Sequence, residues 1–273
     1  MVSFPNCKIN LGLHILGKRE DGFHNLETIF YPVPFRDALE IIPNSNSTTE
    51  IEFTGTGLTV EGNTEDNLCI KAYYLLKKDF PQLPSVKIHL HKTLPMGAGL
   101  GGGSADAAFM LKLLNEKFKL NLSTSQLLNY SLQLGSDCPF FLINKPCFAT
   151  GRGEVLEEIT VDLSAYKMVL INPGIHINTG WAFSNITPAL PPKSIKEIIQ
   201  QPINSWKEAL KNDFEVPVFA THPAIKEIKE VLYAQGAAYA AMSGSGSTVF
   251  GIFDTPFDMA PFKNNNYFIK TIN

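Results

Sequence analysis

Residues 95–108 read Pro95-Met-Gly-Ala-Gly-Leu-Gly-Gly-Gly-Ser104-Ala-Asp-Ala-Ala108, with five glycines (Gly97, Gly99, Gly101, Gly102 and Gly103) inside seven positions. Before them Val86, Ile88 and Leu90 alternate as in a strand, and after them Ala105–Phe118 reads as a helix. A simple turn needs one or two glycines. Glycine admits positive φ and lets backbone N–H groups come close to an anion. A helix N-terminus adds unsatisfied N–H groups and the positive end of a dipole. The stretch therefore predicts a phosphate-binding loop made by Pro95, Met96, Gly97, Ala98, Gly99, Leu100, Gly101, Gly102, Gly103 and Ser104.

Several phosphate-loop patterns compete. Walker A requires a Gly-Lys-Ser/Thr ending, and no lysine follows these glycines. Gly97-x-Gly99-x-x-Gly102 satisfies the dinucleotide fingerprint, which would make the chain an NAD-binding oxidoreductase. That fingerprint also needs a second strand ending in an acid about 20 residues on. Here the next segment is a helix, opened by a capping box of Ser123 and Gln126 and stopped at Gly135. His-Arg-Asp and Asp-Phe-Gly, the protein-kinase signatures, are missing.

The rest of the composition narrows the class. The chain has 273 residues, 44% hydrophobic and 18% charged, with a formal net charge of −3. That suffices for a core and gives no electrostatic case for nucleic acid or an anionic membrane. Cys7, Cys69, Cys138 and Cys147 form no CxxC pair and read as reduced thiols. No leader pattern is visible, and no run reaches about 18 apolar residues. A cytoplasmic protein is expected.

Lys8–Leu16 reads as a strand with Ile9, Leu11, Leu13 and Ile15 on one face. Lys8, Asn10, Gly12 and His14 take the other, which suits either solvent or the floor of a cleft. Residues 36–60 read as short strands in a meander with a turn at 44–49. Asn67–Phe80 reads as a helix. Asp137 follows the Gly135 stop and precedes Pro139 and an apolar run read as a strand. Val155–Val161 and Lys167–Asn172 read as strands. Two weak helices follow the Pro188–Pro192 stretch. Pro223–Gln235 is a clearer helix, and Ser243–Ser247 is a turn before the strand Thr248–Phe253. Strands and helices mix without regular βαβ alternation, which favours α+β.

Pro95-x-Gly97-x-Gly99-Leu100-Gly101, followed by small residues and a helix, resembles the loop of the GHMP kinases, the family of galactokinase, homoserine kinase and the mevalonate kinases. The family's C-terminal glycine motif is similar to Gly244-Ser-Gly-Ser-Thr-Val-Phe-Gly251. Four segments resemble the branch of that family whose substrate bears a cytidine diphosphate group. They are Pro5–Leu11 with Lys8-Ile-Asn10-Leu, Arg19-x-Asp21-Gly-Phe-His24-x-Leu26-x-Thr28, Gly99–Ala108, and Gly135-Ser-Asp137-Cys-Pro139-Phe-Phe.

The resemblance implies an α+β, two-domain GHMP kinase fold. An N-terminal ATP-binding domain (1–150) would be of the ribosomal protein S5 domain 2-like type. A C-terminal substrate domain (151–273) would be ferredoxin-like, with substrate in the cleft between them. It implies ATP and Mg²⁺ as cofactors, and a small-molecule alcohol as acceptor in a monomer or homodimer, with no nucleic acid or membrane partner.

By the same resemblance Asp137, otherwise a turn or cap aspartate, takes the proton of the attacking hydroxyl. Lys8, otherwise a surface lysine, keeps it ionised and offsets charge on the moving phosphoryl group. Asn10 and Thr179 hold the substrate. Phe23 and Phe183, otherwise core residues, sandwich its cytosine, and His24 reads the base edge. Asn67 and Lys92, with Met96, line the adenine pocket. Many relatives carry Ser-Ser where Gly102-Gly103 stand, so the metal ligands stay unassigned. His89 and His91 have a metal-ligating spacing without a third ligand. A homoserine or mevalonate kinase and a catalytically dead nucleotide-binding module remain alternatives.

Overall fold

The computed structural model describes all residues except 46, 47, 60–62, 263–265 and 273. In chain order the elements are β1 (Val2–Ser3), β2 (Asn6–Lys18), β3 (His24–Arg36), β4 (Ala38–Pro43), β5 (Ile51–Gly57), α1 (Leu68–Asp79), β6 (Val86–Lys92), α2 (Gly102–Lys117), α3 (Thr124–Leu134) and α4 (Cys138–Ile143). They continue with β7 (Cys147–Thr150), β8 (Val155–Glu158), β9 (Lys167–Asn172), α5 (Thr179–Ser184), α6 (Ile195–Ile198), α7 (Trp206–Ala209), α8 (Glu215–Thr221), α9 (Pro223–Ala234), β10 (Tyr239–Met242), β11 (Val249–Phe253) and β12 (Phe268–Ile272).

The chain divides into two compact units, each drawn from three segments. The first takes Met1–Cys7, Pro34–Met96 and Gly101–Asn144; the second takes Lys8–Val33, Gly97–Leu100 and Lys145–Asn273. Both β2 and the glycine loop therefore give residues to each unit.

The first unit is a sheet of order β1-β4-β6-β5 with α1 to α4 packed on one another. β6 lies between β4, antiparallel, and β5, parallel. The meander expected over 36–60 is thus replaced by a β5–α1–β6 crossover, because two parallel strands cannot be joined by a tight turn and need a helix-length connection. The expected turn at 44–49 includes residues outside the described ones. Asn67 caps α1 by accepting from the Cys69 amide, and the Ser123–Gln126 capping box on α3 is formed. α2 starts three residues earlier than expected. Gly102 and Gly103 are already helical, and a Cβ on Gly102 would lie 3.3 Å from Leu94 Cβ, so glycine there permits close packing. The apolar run after Asp137 is α4, not a strand. Six apolar residues have no decisive period, and Pro139 in the first turn suits a helix start.

The second unit holds a sheet of order β2-β3-β7-β8 and an antiparallel sheet of order β10-β11-β9-β12. The latter has the strand order of a ferredoxin-like sheet. Between β11 and β12, where that pattern has its second helix, the described residues hold one 3₁₀ turn, Ala260–Phe262. Leu13, Ile15 and Leu26 share a core with Val169, Ile171, Ile225, Ile228, Leu232, Val249 and Phe253. The polar face of β2 is not solvated: Lys8, Asn10 and His14 are all buried. β8 stops at Glu158, short of the expected Val161.

Gly99 has φ +77°, and a Cβ built on it would fall 2.0 Å from the Ser243 carbonyl oxygen. Gly22, at φ +85°, has nothing within 4 Å of such a Cβ. In urea unfolding, Gly22→Ala should lose only the left-handed cost of about 1–2 kcal/mol. Gly99→Ala should lose clearly more, because two backbones must also separate. Equal losses would show that this approach does not restrain the fold.

Candidate active site

In the second unit the carbonyls of the glycine loop are taken by protein donors. Ala98 O accepts from Thr248 N at 3.2 Å and Leu100 O from Lys8 N at 3.0 Å. Gly99 O accepts from Ser243 Oγ at 2.8 Å and from Lys8 Nζ at 3.3 Å. Donors elsewhere in the second unit thus hold three successive carbonyls of the loop, Ala98 to Leu100. In the first unit Gly101 (φ +70°) is the N-cap of α2, and Gly102, Gly103 and Ser104 form the first turn. A first turn has no intrahelical partner for its N–H groups and carries the positive dipole end.

Lys8 is 3% exposed. Its ammonium donates to Asn10 Oδ1 at 2.5 Å and lies 5.0 Å from the centre of the Phe30 ring. Asn10 Nδ2 donates to Thr28 Oγ1 at 3.0 Å, and that hydroxyl donates to Gly12 O at 2.5 Å. An ammonium only donates, so Asn10 must turn its oxygen to Lys8 and its NH₂ to Thr28. The chain of donors has one direction, which fixes both Lys8 and Asn10. Thr28 closes the segment Arg19–Thr28, and its supporting role was not foreseen.

His24 stacks on Phe183 with ring centres 4.9 Å apart and planes 18° from parallel. Burial, then the Lys18 charge, lowers the His24 pKa from its ordinary value, so the ring is neutral near pH 7. Phe183 also meets Phe214 edge-on. Phe23 is 52% exposed and pairs instead with Arg152, whose guanidinium lies 4.7 Å over its ring. Thr179 begins α5 behind the Asn178 cap, with its hydroxyl 3.2 Å from Ser245 Oγ.

In the first unit Asp137 is half-buried at the N-cap position of α4, and its side chain makes no capping hydrogen bond. Asn67, Lys92 and Met96 come together with Phe53, Leu68, Leu90, Gly103 and Asp106 around a recess of about 670 Å³, counted to its open mouth. At its base Lys92, 1% exposed, is bracketed by two carboxylates. Its ammonium donates to Asp37 Oδ2 and, at 2.8 Å, to Asp106 Oδ2. Asp37 Oδ1 accepts from Thr93 N at 2.6 Å and Leu94 N at 2.9 Å. Asp106 Oδ1 is buried with no hydrogen-bond partner among the described residues. Burial works against the Lys92 charge, but Asp106 and Asp37 outweigh it and raise its pKa. Burial pushes Asp106 up, Lys92 pulls it down and Asp37 pushes it up again, leaving it at about 7.

His89 and His91 hydrogen-bond Thr54 and Thr56 across β5. No group of three or more His, Cys, Asp or Glu side chains suited to a metal occurs among the described residues. All four cysteines are free and buried. No helix among the described residues is long and apolar enough to cross a membrane.

The chain belongs to the GHMP kinases: the family model "GHMP kinases N terminal domain" matches residues 67–145 and "GHMP kinases C terminal" matches 194–265. Within that family it is similar to proteins named 4-diphosphocytidyl-2-C-methyl-D-erythritol kinase. The one from Bacteroides fragilis is 54% identical over 253 residues, 93% of this chain and 92% of that protein. The one from Bacteroides thetaiotaomicron is 55% identical over 254 residues, with the same shares. The crystal structure of a 4-(cytidine 5'-diphospho)-2C-methyl-D-erythritol kinase matches with a TM-score of 0.84 at 30% identity, covering 100% of this chain and 99% of that one. A homoserine kinase from Cytophaga hutchinsonii shares the fold, with a TM-score of 0.71 at 12% identity over 100% of this chain and 93% of that one.

Two predictions concern the buried triad. Lys92→Met strands two buried carboxylates and should cost about 3–5 kcal/mol in denaturant unfolding. Asp106 has its folded pKa raised from 3.8 to about 7. Its contribution to stability is therefore full below pH 3.8 and falls as pH rises to about 7. The stability of the wild type minus that of Asp106→Asn should fall across that window; a flat difference would show an Asp106 pKa that folding leaves unchanged.

Proposed function

We propose that this chain transfers the γ-phosphoryl group of ATP to the 2-hydroxyl of 4-diphosphocytidyl-2-C-methyl-D-erythritol, a step of the non-mevalonate route to isopentenyl diphosphate. The observation that carries this reading is 54–55% identity to proteins of that name across 93% of the chain. The substrate's hydroxyl oxygen bonds to the γ-phosphorus, the bond to the ADP oxygen breaks, and the hydroxyl proton leaves to Asp137. Phosphoryl transfer of this kind depends on positioning and on stabilising charge.

Residues Pro95 to Ser104 receive the ATP phosphates, and Asn67, Lys92 and Met96 the adenine end. Lys8 offsets charge on the moving group. The one-way chain from Lys8 through Asn10 and Thr28 supports this role, because it holds a cation and an amide at fixed orientation before substrate arrives. Asp137 is half-buried at the head of α4, in the Gly135–Phe141 segment whose resemblance carries its assignment. Phe23, His24, Thr179 and Phe183 take the cytidine end, with the neutral His24 ring hydrogen-bonding the base.

The protein side chains build no metal cage among the described residues. Mg²⁺ ordinarily binds one or two protein oxygens plus substrate phosphates, so the Mg²⁺ we propose arrives on ATP and neutralises phosphate charge. We also propose that residues 1–150 form the ATP-binding domain and 151–273 a substrate domain that shares the acceptor with Phe23 and His24, as the two family models fall either side of that boundary. The four free thiols suit a cytoplasmic enzyme.

ADP release from ATP and Mg²⁺ should depend on 4-diphosphocytidyl-2-C-methyl-D-erythritol. Release with homoserine or mevalonate in its place would overturn the acceptor assignment. Asp137→Asn should lower kcat by about 10²- to 10⁴-fold with ATP affinity kept. Turnover at the wild-type rate would remove Asp137 from the mechanism.

A further inference from the structure

The recess beside Lys92 has apolar walls, with Phe53 and Leu90 from the sheet and Leu68 and Met96 from the segments flanking it. Such walls accept a flat base but do not tell one purine from another. Discrimination needs a polar atom at the base edge. Lys92 is committed to its two carboxylates, and Asn67 Oδ1 is committed to the Cys69 amide at 2.9 Å. The recess is also lined by polar residues near its mouth, but among its buried lining residues one oxygen is left over: Asp106 Oδ1, on a residue 3% exposed and without a hydrogen-bond partner among the described residues. A buried carboxylate oxygen without a donor is costly, and such an orphan calls for a ligand or a water.

We propose that Asp106 is the residue that selects adenine: its Oδ1 accepts a hydrogen bond from the exocyclic 6-amino group of the nucleotide base. This rests on the reading of the recess as the ATP base site. Above pH 7, where Asp106 is ionised, a 6-oxo purine would set its own acceptor against the carboxylate and be rejected. A purine with hydrogen at position 6 would leave the carboxylate oxygen unpaired and bind weakly.

Lys92 makes the proposal unusually testable. In Asp106→Asn the side-chain oxygen must stay on the Lys92 ammonium, because an amide NH₂ turned to it would set two donors face to face. The NH₂ is then turned into the recess. The substitution therefore converts an acceptor into a donor at one point while leaving Lys92 paired with Asp37 and still accepted by an oxygen.

The experiment is calorimetric titration of the full chain, at a pH above the Asp106 pKa of about 7, with Mg²⁺ and ATP, inosine triphosphate or purine riboside triphosphate, without acceptor. The wild type should bind ATP about 10- to 100-fold more tightly than either analogue. Asp106→Asn should weaken ATP and strengthen inosine triphosphate, narrowing or inverting that ratio. Equal wild-type affinity for ATP and purine riboside triphosphate would overturn the proposal, with a water satisfying Asp106 instead. So would an unchanged ratio in an Asp106→Asn protein that keeps the wild-type circular dichroism. Should the variant fail to fold, the wild-type comparison of the three nucleotides decides alone. Base selectivity without acceptor-dependent ADP release would leave Asp106 in place and sink only the acceptor assignment.

Discussion

Lys92 lies in the interior of the first unit between Asp37 and Asp106, and much of that unit is tied to it. Asp37 lies just before β4, Lys92 ends β6, and Asp106 is in the first turns of α2. One ammonium thus joins two strands and a helix. The second oxygen of Asp37 holds the amides of Thr93 and Leu94, so the chain leaving β6 is directed before it reaches Pro95. A buried charge survives only when paired and hydrogen-bonded. Here the pairing also sets the path of the segment that becomes the glycine loop. The excess of carboxylate over ammonium leaves one buried oxygen unsatisfied, on a residue that lines a recess.

The second unit also buries polar and charged groups, and pairs each of them. An alternating strand ordinarily hides one face and wets the other, but β2 is buried on both. The polar face is tolerable because its groups are paired: Asn10 with Thr28, and His14 with Glu27 at 3.3 Å. Glu27 in turn accepts from Ser194 and from the Ile195 amide, each at 2.8 Å, which anchors the start of α6. The ordering is specific, since reversing any one amide would set two donors or two acceptors face to face.

Elements with local signals were legible in the sequence. Asn67 before α1, the Ser123–Gln126 box and Gly135 around α3, and the glycine-rich start of α2 each carry their chemistry within a few residues. β3 was not delimited, because Pro32 and Pro34 argue against a strand of that length. The β5–β6 pairing is parallel and set by packing, which no neighbouring residue announces. Among site residues, Lys8, Asn10 and the recess trio of Asn67, Lys92 and Met96 were visible through motif resemblance. Asp37 and Asp106 were not read as partners of Lys92. They lie 55 and 14 residues from it in the chain, and ion pairs at such separations have no sequence pattern.

The threading of the second unit bears on how the protein is made. Leu13 N donates to Lys211 O, and Asp213 N donates to Leu13 O. Leu13 also packs with β9 and β11 residues in one core. On the ribosome β2 emerges well before these neighbours, which are translated about two hundred residues later. Long-range pairing of this kind slows folding and leaves apolar strand surface waiting. Until those neighbours are made, Leu13 and Ile15 are without their final cover, which leaves apolar strand surface exposed to mispairing during translation.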